Sequence, residues 1–222
     1  MKAMILAAGR GSRMKALTNE TPKPLLEVNQ KSLIEHQIIK LRDAGFYEIV
    51  INVAYLGQKI IDHLQFGDHL GVNIQYSYEG DEGLETGGGI RRALSLLTDE
   101  FIVVNADVMT DFSYKALLNV ELNDSLAYLI LVKNPVHNLN GDFGLSLRTV
   151  QLNANGLNES YTFSGIGLYS KELFSSYHSG ETFSLLSVLK PAIEFQKVLG
   201  SVYTDSWDDI GTPERLQGIR RA

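Results

Sequence analysis

The chain has 222 residues, 44% of them hydrophobic and 21% charged, ordinary proportions for a globular protein able to bury a substantial core. Its net charge of −6 argues against general nucleic-acid binding, which draws on a basic face. The absence of cysteine excludes disulfides, thiolate metal sites and cysteine nucleophiles and suits a reducing cytoplasm.

No apolar run approaches the ~20 residues of a membrane span. Met4–Ala8 is too short for the apolar region of a signal peptide and is followed by cations, so a cytoplasmic location is expected. The first strand is predicted at Ala3–Ala8, and it breaks into glycine. The stretch MILAAGRGSRMKALTNETPKPLLEV then carries four cations, Arg10, Arg13, Lys15 and Lys23, against two acids, Glu20 and Glu27. A dinucleotide fingerprint would need a third glycine where Met14 stands, and a Walker A loop would need a Gly-Lys-Ser/Thr ending. What remains is a glycine-rich loop that meets phosphates through backbone N–H groups with help from Arg and Lys, or a solvated basic loop. Lys23 lies between Pro22 and Pro24, two fixed φ angles that stiffen its backbone and would lower the ordering cost of binding.

Further along, Ser32-Leu-Ile-Glu35 is a capping-box pattern opening a helix to about Ala44, with Gly45 as its stop. Strands are predicted at Glu48–Val53, Asn73–Tyr78, Phe101–Asn105 and Ala127–Val132. Helices Gln58–Phe66, Gly88–Leu97 and Tyr114–Leu122 fill the intervals. The alternation predicts an α/β fold, with a doubly wound, mostly parallel sheet covered on both faces. After about residue 135 the pattern changes to a small appended sheet region. Strands Phe143–Leu152 and Tyr161–Tyr169 flank a turn at LNANGLN, and helices Lys171–Tyr177 and Phe183–Gln196 follow, the second carrying Pro191. A strand at Val198–Tyr203 and a helix opened by Thr212-Pro213 complete the chain. No linker, repeat or low-complexity tract interrupts it, so residues 1–222 are expected to form one domain.

Four segments carry candidate chemistry. FIVVNADVMTD puts Asp107 at the carboxyl end of a buried strand, where open α/β sheets bind ligands; helix capping is the alternative, and suits Asp111 better. In EGLETGGGIRRAL, Gly87–Gly89 are costly for a helix at ~1 kcal/mol each, so something approaches the backbone closely, or the segment is a hinge. NGDFGLSL and TFSGIGLYS are ordinary turn and strand chemistry on their own. SWDDIGTPERL supplies Asp208 and Asp209, which alternate if extended. The five histidines form no H-E-x-x-H pattern and no G-x-S-x-G elbow occurs, so a hydrolase is poorly supported.

The segment LAAGRGSRMKALTNETPKP resembles the signature of the sugar-1-phosphate nucleotidyltransferases, or nucleotide-sugar pyrophosphorylases, departing only where Ala16 replaces a usual proline. The resemblance implies a Rossmann-like nucleotidyltransferase fold and catalytic roles for Arg13, Lys23 and Asp107. It implies a nucleotide side at Ala8, Gly9, Gly11, Ser12, Gln75, Glu79 and Gly80, and a sugar side at Glu85, Thr86, Gly88, Asp142, Ser164 and Gly165. Mg²⁺ would be held by Asp107 and Asp209, hard oxygen donors that phosphates and water would complete to an octahedron. The implied reactants are a nucleoside triphosphate and a sugar 1-phosphate, with no nucleic acid or membrane partner and a monomeric or weakly dimeric state.

Within the family, NVAYLGQKIIDHL, LETGGGIRRAL, GDFGL, FSGIGLY and WDDIGTPERL are most similar to the short N-acetylmuramic acid 1-phosphate uridylyltransferases of cell-wall recycling. No hexapeptide repeats are present, in keeping with that type. Mannose-1-phosphate guanylyltransferases share many of these motifs and are the alternative. Two other classes stay open: a regulatory nucleotide-sugar sensor without turnover, and a glycosyltransferase, whose usual Asp-x-Asp is broken here by Met109.

Overall fold

The computed structural model describes residues 1–152 and 159–221. Strand β1 (Lys2–Leu6) opens the chain. Two 3₁₀ turns, Ser12–Thr18 and Lys23–Leu25, lead to a hairpin of β2 (Glu27–Val28) and β3 (Lys31–Ser32), and α1 (Leu33–Asp43) follows. Next come β4 (Glu48–Val53), α2 (Gly57–Leu64), β5 (Asn73–Tyr78), α3 (Glu85–Ala93), β6 (Glu100–Asn105), β7 (Val108–Thr110) and β8 (Ala127–Val132). The last third holds β9 (Phe143–Ser146), β10 (Thr149–Leu152), β11 (Thr162–Ser170), α4 (Leu185–Glu194), β12 (Val198–Tyr203), β13 (Trp207–Asp209) and α5 (Pro213–Arg221).

Nine strands form one sheet in the order β5-β4-β1-β6-β11-β8-β12-β10-β9. Following the pairings, only β11 and β10 run against the other seven. The fold is therefore the expected mixed, mostly parallel α/β sheet. The strands expected as a separate appendage are instead part of this sheet: β11 is inserted between β6 and β8, β12 lies beside β8, and only β10 and β9 extend the far edge. Two two-stranded ribbons, β2-β3 and β7-β13, stand apart. The period-2 pattern divides the core. Ala3 and Ile5 of β1 with Ile102 and Val104 of β6 pack under α1 and α2; Met4, Phe101 and Val103 face the other way, against α3 and α4. Burial of such a side chain is worth about 1.5–3 kcal/mol. A third cluster of Met14, Leu26, Val28, Leu33, Ile210 and Leu216 seats the basic loop on α5.

Local signals act as expected at α1, where Ser32 and Glu35 form a capping box, the Ser32 N–H donating to Glu35 at 2.7 Å. At α5 the Thr212 hydroxyl receives the Arg215 N–H. Pro191 lies inside α4 without ending it. A proline there leaves the Ser187 carbonyl without its helical donor, and the Tyr177 hydroxyl donates to that carbonyl at 3.0 Å.

Several boundaries differ from expectation. The strand predicted at Ala3–Ala8 ends at Leu6 because the Ala7 N–H is taken by the Asn52 side chain. Phe143–Leu152 is two strands, reversing where Leu147 takes a φ of 57°. The turn expected over 152–158 lies, beyond Leu152, outside the described residues. The helices predicted at Tyr114–Leu122 and Lys171–Tyr177 are 3₁₀ segments, Tyr114–Asn119 and Lys171–Phe174. Helix α3 begins three residues before its predicted start and includes all three glycines. Asp111 caps nothing: Ser113 stands at the helix start, and Asp111 is exposed. Among the described residues no helix is long and apolar enough to cross a membrane.

Candidate active site

The strand order reverses direction around β1: β4 and β5 lie on one side, β6 on the other. Crevices open at the carboxyl ends of strands at such a switch point. A cavity of about 500 Å³ lies there, lined by Leu6–Arg13 after β1, by Asn52 on β4, by Asn105–Asp107 after β6, and by Glu79, Glu82–Thr86, Lys23, Pro24 and Gly211. The predicted Ala8, Gly9, Gly11, Ser12, Arg13, Lys23, Glu79, Glu85, Thr86 and Asp107 are thus brought to one hollow.

The glycine loop is held from outside. Gly11 takes a φ of 64°, and a Cβ there would meet Lys23 Cβ at 3.0 Å, so its absence lets the Pro22-Lys23-Pro24 turn pack on the loop. The Thr18 hydroxyl donates to the Gly11 carbonyl at 3.1 Å. Beyond the loop, the Arg10 guanidinium lies 5.0 Å from the centre of the Tyr55 ring, the Tyr55 hydroxyl donates to the Asn19 carbonyl at 3.2 Å, and Lys59 Nζ donates to the Glu20 carbonyl at 2.5 Å. Arg13 is exposed on the cavity wall. The Lys23 ammonium is directed into the hollow, where it is ion-paired with Asp107 Oδ2.

Of the two candidate metal acids, Asp107 directly precedes β7 and Asp209 ends its partner strand β13. Asp209 lies opposite Val108 in the β7-β13 ribbon, and the Ile210 N–H donates to the Asp107 carbonyl at 2.8 Å. Their carboxylates face different cations: Asp209 Oδ1 is ion-paired with Arg215 and lies 2.9 Å from His137 Nε2. Arg215 reaches it over Gly211, whose missing Cβ leaves room for the guanidinium. Among the described residues no three His, Cys, Asp or Glu side chains gather into a ready-made metal cluster. Asp107 lines the cavity and Asp209 does not, but the Ile210 N–H bond to the Asp107 carbonyl holds their backbones together, and both are oxygen donors that fit a hard ion taking its other oxygens from ligands and water. Asp208, on the opposite face of β13, has its carboxyl pushed up by burial and then by the neighbouring Asp209 charge. The ribbon is held by α1: Gln37 donates to the Val108 carbonyl, Lys40 to the Thr110 carbonyl, and Tyr114 to Gln37. Burial pushes the Tyr114 hydroxyl well above its ordinary range.

Gly87–Gly89 are crowded by the protein itself. A Cβ at Gly87 would lie 2.6 Å from the Phe183 ring, one at Gly88 would collide with the Glu181 carbonyl, and one at Gly89 with the Glu79 carboxylate. Gly88 also donates its N–H to the Phe183 carbonyl at 3.1 Å. It does not line the cavity, because the 181–184 segment covers it. Glu85, just ahead, takes a left-handed φ of 58° and faces the hollow with Thr86.

Other expected residues lie off the cavity wall. Gln75 sits mid-strand on β5, exposed, with its side-chain oxygen accepting from Lys2 Nζ at 3.2 Å. Gly80, with a φ of 83°, follows Glu79 but is not among the lining residues. Asp142 accepts from the Phe163 N–H at 2.8 Å and from Asn138 at 3.1 Å, tying its loop to β11. Ser164 is buried in a bulge of β11, donates to the Ile130 carbonyl at 2.7 Å, and offers its own carbonyl to the Trp207 indole at 3.0 Å. Gly165 packs on Asn105 and so backs the cavity instead of lining it; a Cβ there would come within 2.6 Å of the Asn105 amide.

Sequence reasoning missed Asn52, Asn105, Gly211, Arg215 and His137. For Asn52 a signal existed: it is the single amide in the otherwise apolar run IVINV, and a polar group in a doubly covered strand needs a partner. Its Oδ1 accepts the Ala7 N–H at 2.8 Å and its Nδ2 donates to Glu79 Oε1 at 2.6 Å.

Comparison with known proteins identifies relatives of the chain and of its fold. The chain is 48% identical over 98% of its length to N-acetylmuramate alpha-1-phosphate uridylyltransferase of Neisseria meningitidis serogroup B, covering 96% of that protein. It is 29% identical to D-glycero-alpha-D-manno-heptose 1-phosphate guanylyltransferase of Campylobacter jejuni, over 96% of each chain. In fold it matches a Bacillus anthracis protein solved with sucrose and provisionally named a glucose-1-phosphate thymidylyltransferase, with a TM-score of 0.87 at 22% identity, covering 100% of this chain and 94% of that one. HddC from Yersinia pseudotuberculosis, solved with GMP-PN, matches with a TM-score of 0.79 at 24% identity, covering 99% and 98%. The nucleotidyl transferase family model matches residues 2–221, and the chain belongs to that family.

Proposed function

We propose that this protein joins UTP to N-acetylmuramic acid 1-phosphate, giving UDP-N-acetylmuramic acid and pyrophosphate, as a cytoplasmic step of peptidoglycan recycling. The observation that carries the reaction class is the ion pair of Lys23 and Asp107 in a cavity that the Ala8–Arg13 turn also lines. The choice of sugar and base rests on the near full-length 48% identity to the Neisseria uridylyltransferase.

In the proposed reaction an oxygen of the sugar phosphate attacks the α-phosphorus in line. The bond from that phosphorus to the bridging oxygen breaks, and pyrophosphate leaves with the electron pair. The attacking phosphate is already largely dianionic at neutral pH, with a second pKa of about 6 by analogy with phosphorylated side chains, so no general base is needed. The work is to hold two anions together and stabilise charge. The loop backbone from Ala8 to Ser12 and Arg13 receive the triphosphate, and Lys23 exchanges its carboxylate partner for the reacting phosphates. Glu85 and Thr86 border the sugar side. Asp107 and Asp209 would hold a Mg²⁺ ion, which supplies charge neutralisation worth several kcal/mol in such reactions.

The test is pyrophosphate release from purified protein with Mg²⁺, using UTP, GTP and dTTP each paired with a panel of sugar 1-phosphates. The expected result is the highest kcat/KM for UTP with N-acetylmuramic acid 1-phosphate. A higher value for GTP with mannose 1-phosphate would reassign the substrates, and binding without turnover in any pairing would make the protein a sensor.

A further inference from the structure

We infer that Asn52 and Glu79 form a positioning relay that ties the phosphate loop to the start of α3, so that filling one half of the cavity favours filling the other. The inference rests on the proposed two-substrate reading but concerns groups that need touch neither reactant.

The relay runs along the cavity floor. The Ala7 N–H, where the chain leaves β1 for the glycine loop, donates to Asn52 Oδ1 at 2.8 Å. Asn52 Nδ2 donates to Glu79 Oε1 at 2.6 Å, and the Leu84 N–H, at the N-terminal boundary of α3, donates to Glu79 Oε2 at 2.8 Å. Both side chains are buried, at 3% and 7% exposure. The directions are forced, because a carboxylate only accepts: Glu79 must take N–H donors on both oxygens, which turns the Asn52 amide so that its oxygen meets Ala7.

Three further observations point to positioning and away from simple packing. The relay ends beside Glu85, whose left-handed φ of 58° needs surrounding structure to hold it; Leu84 is fixed from both sides, its carbonyl accepting the Phe183 N–H at 3.3 Å. Gly89 gives up its side chain to the Glu79 carboxylate, and a Cβ there would also lie 3.0 Å from Asn52 Nδ2. A buried carboxylate is moreover an expensive way to fill space: burial pushes the Glu79 carboxyl up, against the pull of Asn52, the Leu84 N–H and the Arg92 charge. Ala7, Asn52, Glu79 and Leu84 all line the cavity, so the four linked groups connect the loop proposed for the triphosphate with the wall proposed for the sugar.

Such a link makes the two binding events reciprocal, and coupling between sites typically amounts to 5–150-fold in affinity. The variants Asn52→Asp and Glu79→Gln each break the donor–acceptor sequence, the first by facing two carboxylates and the second by leaving one acceptor oxygen where two N–H donors, from Asn52 and Leu84, converge. Combined, they restore it in mirror image. The aspartate introduced at 52 accepts from Ala7 and from the amide introduced at 79, whose oxygen accepts from Leu84.

The experiment measures sugar-phosphate affinity by calorimetry, with and without a saturating UTP analogue that cannot be cleaved between its α and β phosphates. Thermal unfolding of each variant is recorded alongside. The wild type is expected to bind the sugar phosphate at least ~5-fold more tightly when the analogue is present. Each single variant should lose most of that gain and the double variant should regain it. No gain in the wild type, unaltered gain in either single variant, or a double variant no better than the worse single one would overturn the relay. If a single variant does not fold, the double variant decides alone by whether it regains the gain. Pyrophosphate release by the wild type is scored separately, so a failed relay leaves the proposed reaction standing and an inactive wild type does not.

Discussion

Two glycine-rich segments abut the cavity, and they lack side chains for opposite reasons. Around Gly9 the space is open: a Cβ there would meet nothing within 4 Å, and the backbone stands bare to whatever enters. Around Gly87 and Gly88 the space is full, with the Phe183 ring and the Ser184 carbonyl at 2.6 and 2.7 Å from the first missing Cβ and the Glu181 carbonyl against the second. Gly9 leaves open space in the cavity wall, whereas Gly87 and Gly88 serve internal packing, a difference that composition alone does not show.

The largest effect separates chemistry from packing altogether. Asp107→Ala should lower kcat by about 10²–10³-fold, the usual cost of removing a preorganised electrostatic group, while leaving the fold intact because the side chain is partly exposed and lies at a strand end. Steady-state kinetics with a parallel melting curve checks it; unchanged turnover would remove Asp107 from the reaction.

The glycine contrast itself is broken or upheld by two alanines. Gly88→Ala forces a methyl against backbone and should destabilise by about 1–3 kcal/mol in urea unfolding. Gly9→Ala should stay within about 0.5 kcal/mol of wild type, yet raise KM for the triphosphate by roughly tenfold, about 1.4 kcal/mol of binding. Equal stability losses at both positions would erase the distinction.

Smaller effects sharpen it. Tyr177→Phe leaves the Ser187 carbonyl opposite Pro191 without its donor and should cost about 0.5–1.5 kcal/mol with no change in KM, since neither Tyr177 nor Ser187 lines the cavity. The pH dependence of stability should carry a modest signature of Glu79. Its folded pKa is raised by burial, so the folded protein holds that proton more tightly than the unfolded chain does. Stability from this group is present below the ordinary glutamate value and is lost as pH climbs through the raised one. In Glu79→Gln that part of the slope should vanish, as urea titrations from mildly acidic to neutral pH would show.

Much of the fold was legible in the residues. Nearly continuous apolar residues in β4, β6 and β8 announced strands covered on both faces, and Ser32 with Glu35 announced α1. The basic loop and Asp107 could be read because each directly follows a strand end. Gln75 is one expected residue that the structure leaves off the cavity wall: it is mid-strand, while Glu79 stands just past the strand's carboxyl end, where ligands gather in such sheets. Asp142 and Gly88 also lie off the cavity wall, for a different reason. Their partners, the Phe163 N–H and the Glu181 carbonyl, are 21 and 93 positions away, and no local pattern encodes them. The Asn52–Glu79 contact depends on the β4-β5 register, which sets Val53 beside Tyr78, and register is a tertiary fact.

The most direct test of the central claim follows the phosphorus atoms. With purified protein, Mg²⁺, UTP and N-acetylmuramic acid 1-phosphate, ³¹P NMR should show both the sugar-phosphate signal and the three UTP signals give way to an asymmetric diphosphate and free pyrophosphate in equal amounts, and only when both substrates are present. Orthophosphate from UTP alone, or no change in any signal, would contradict the account.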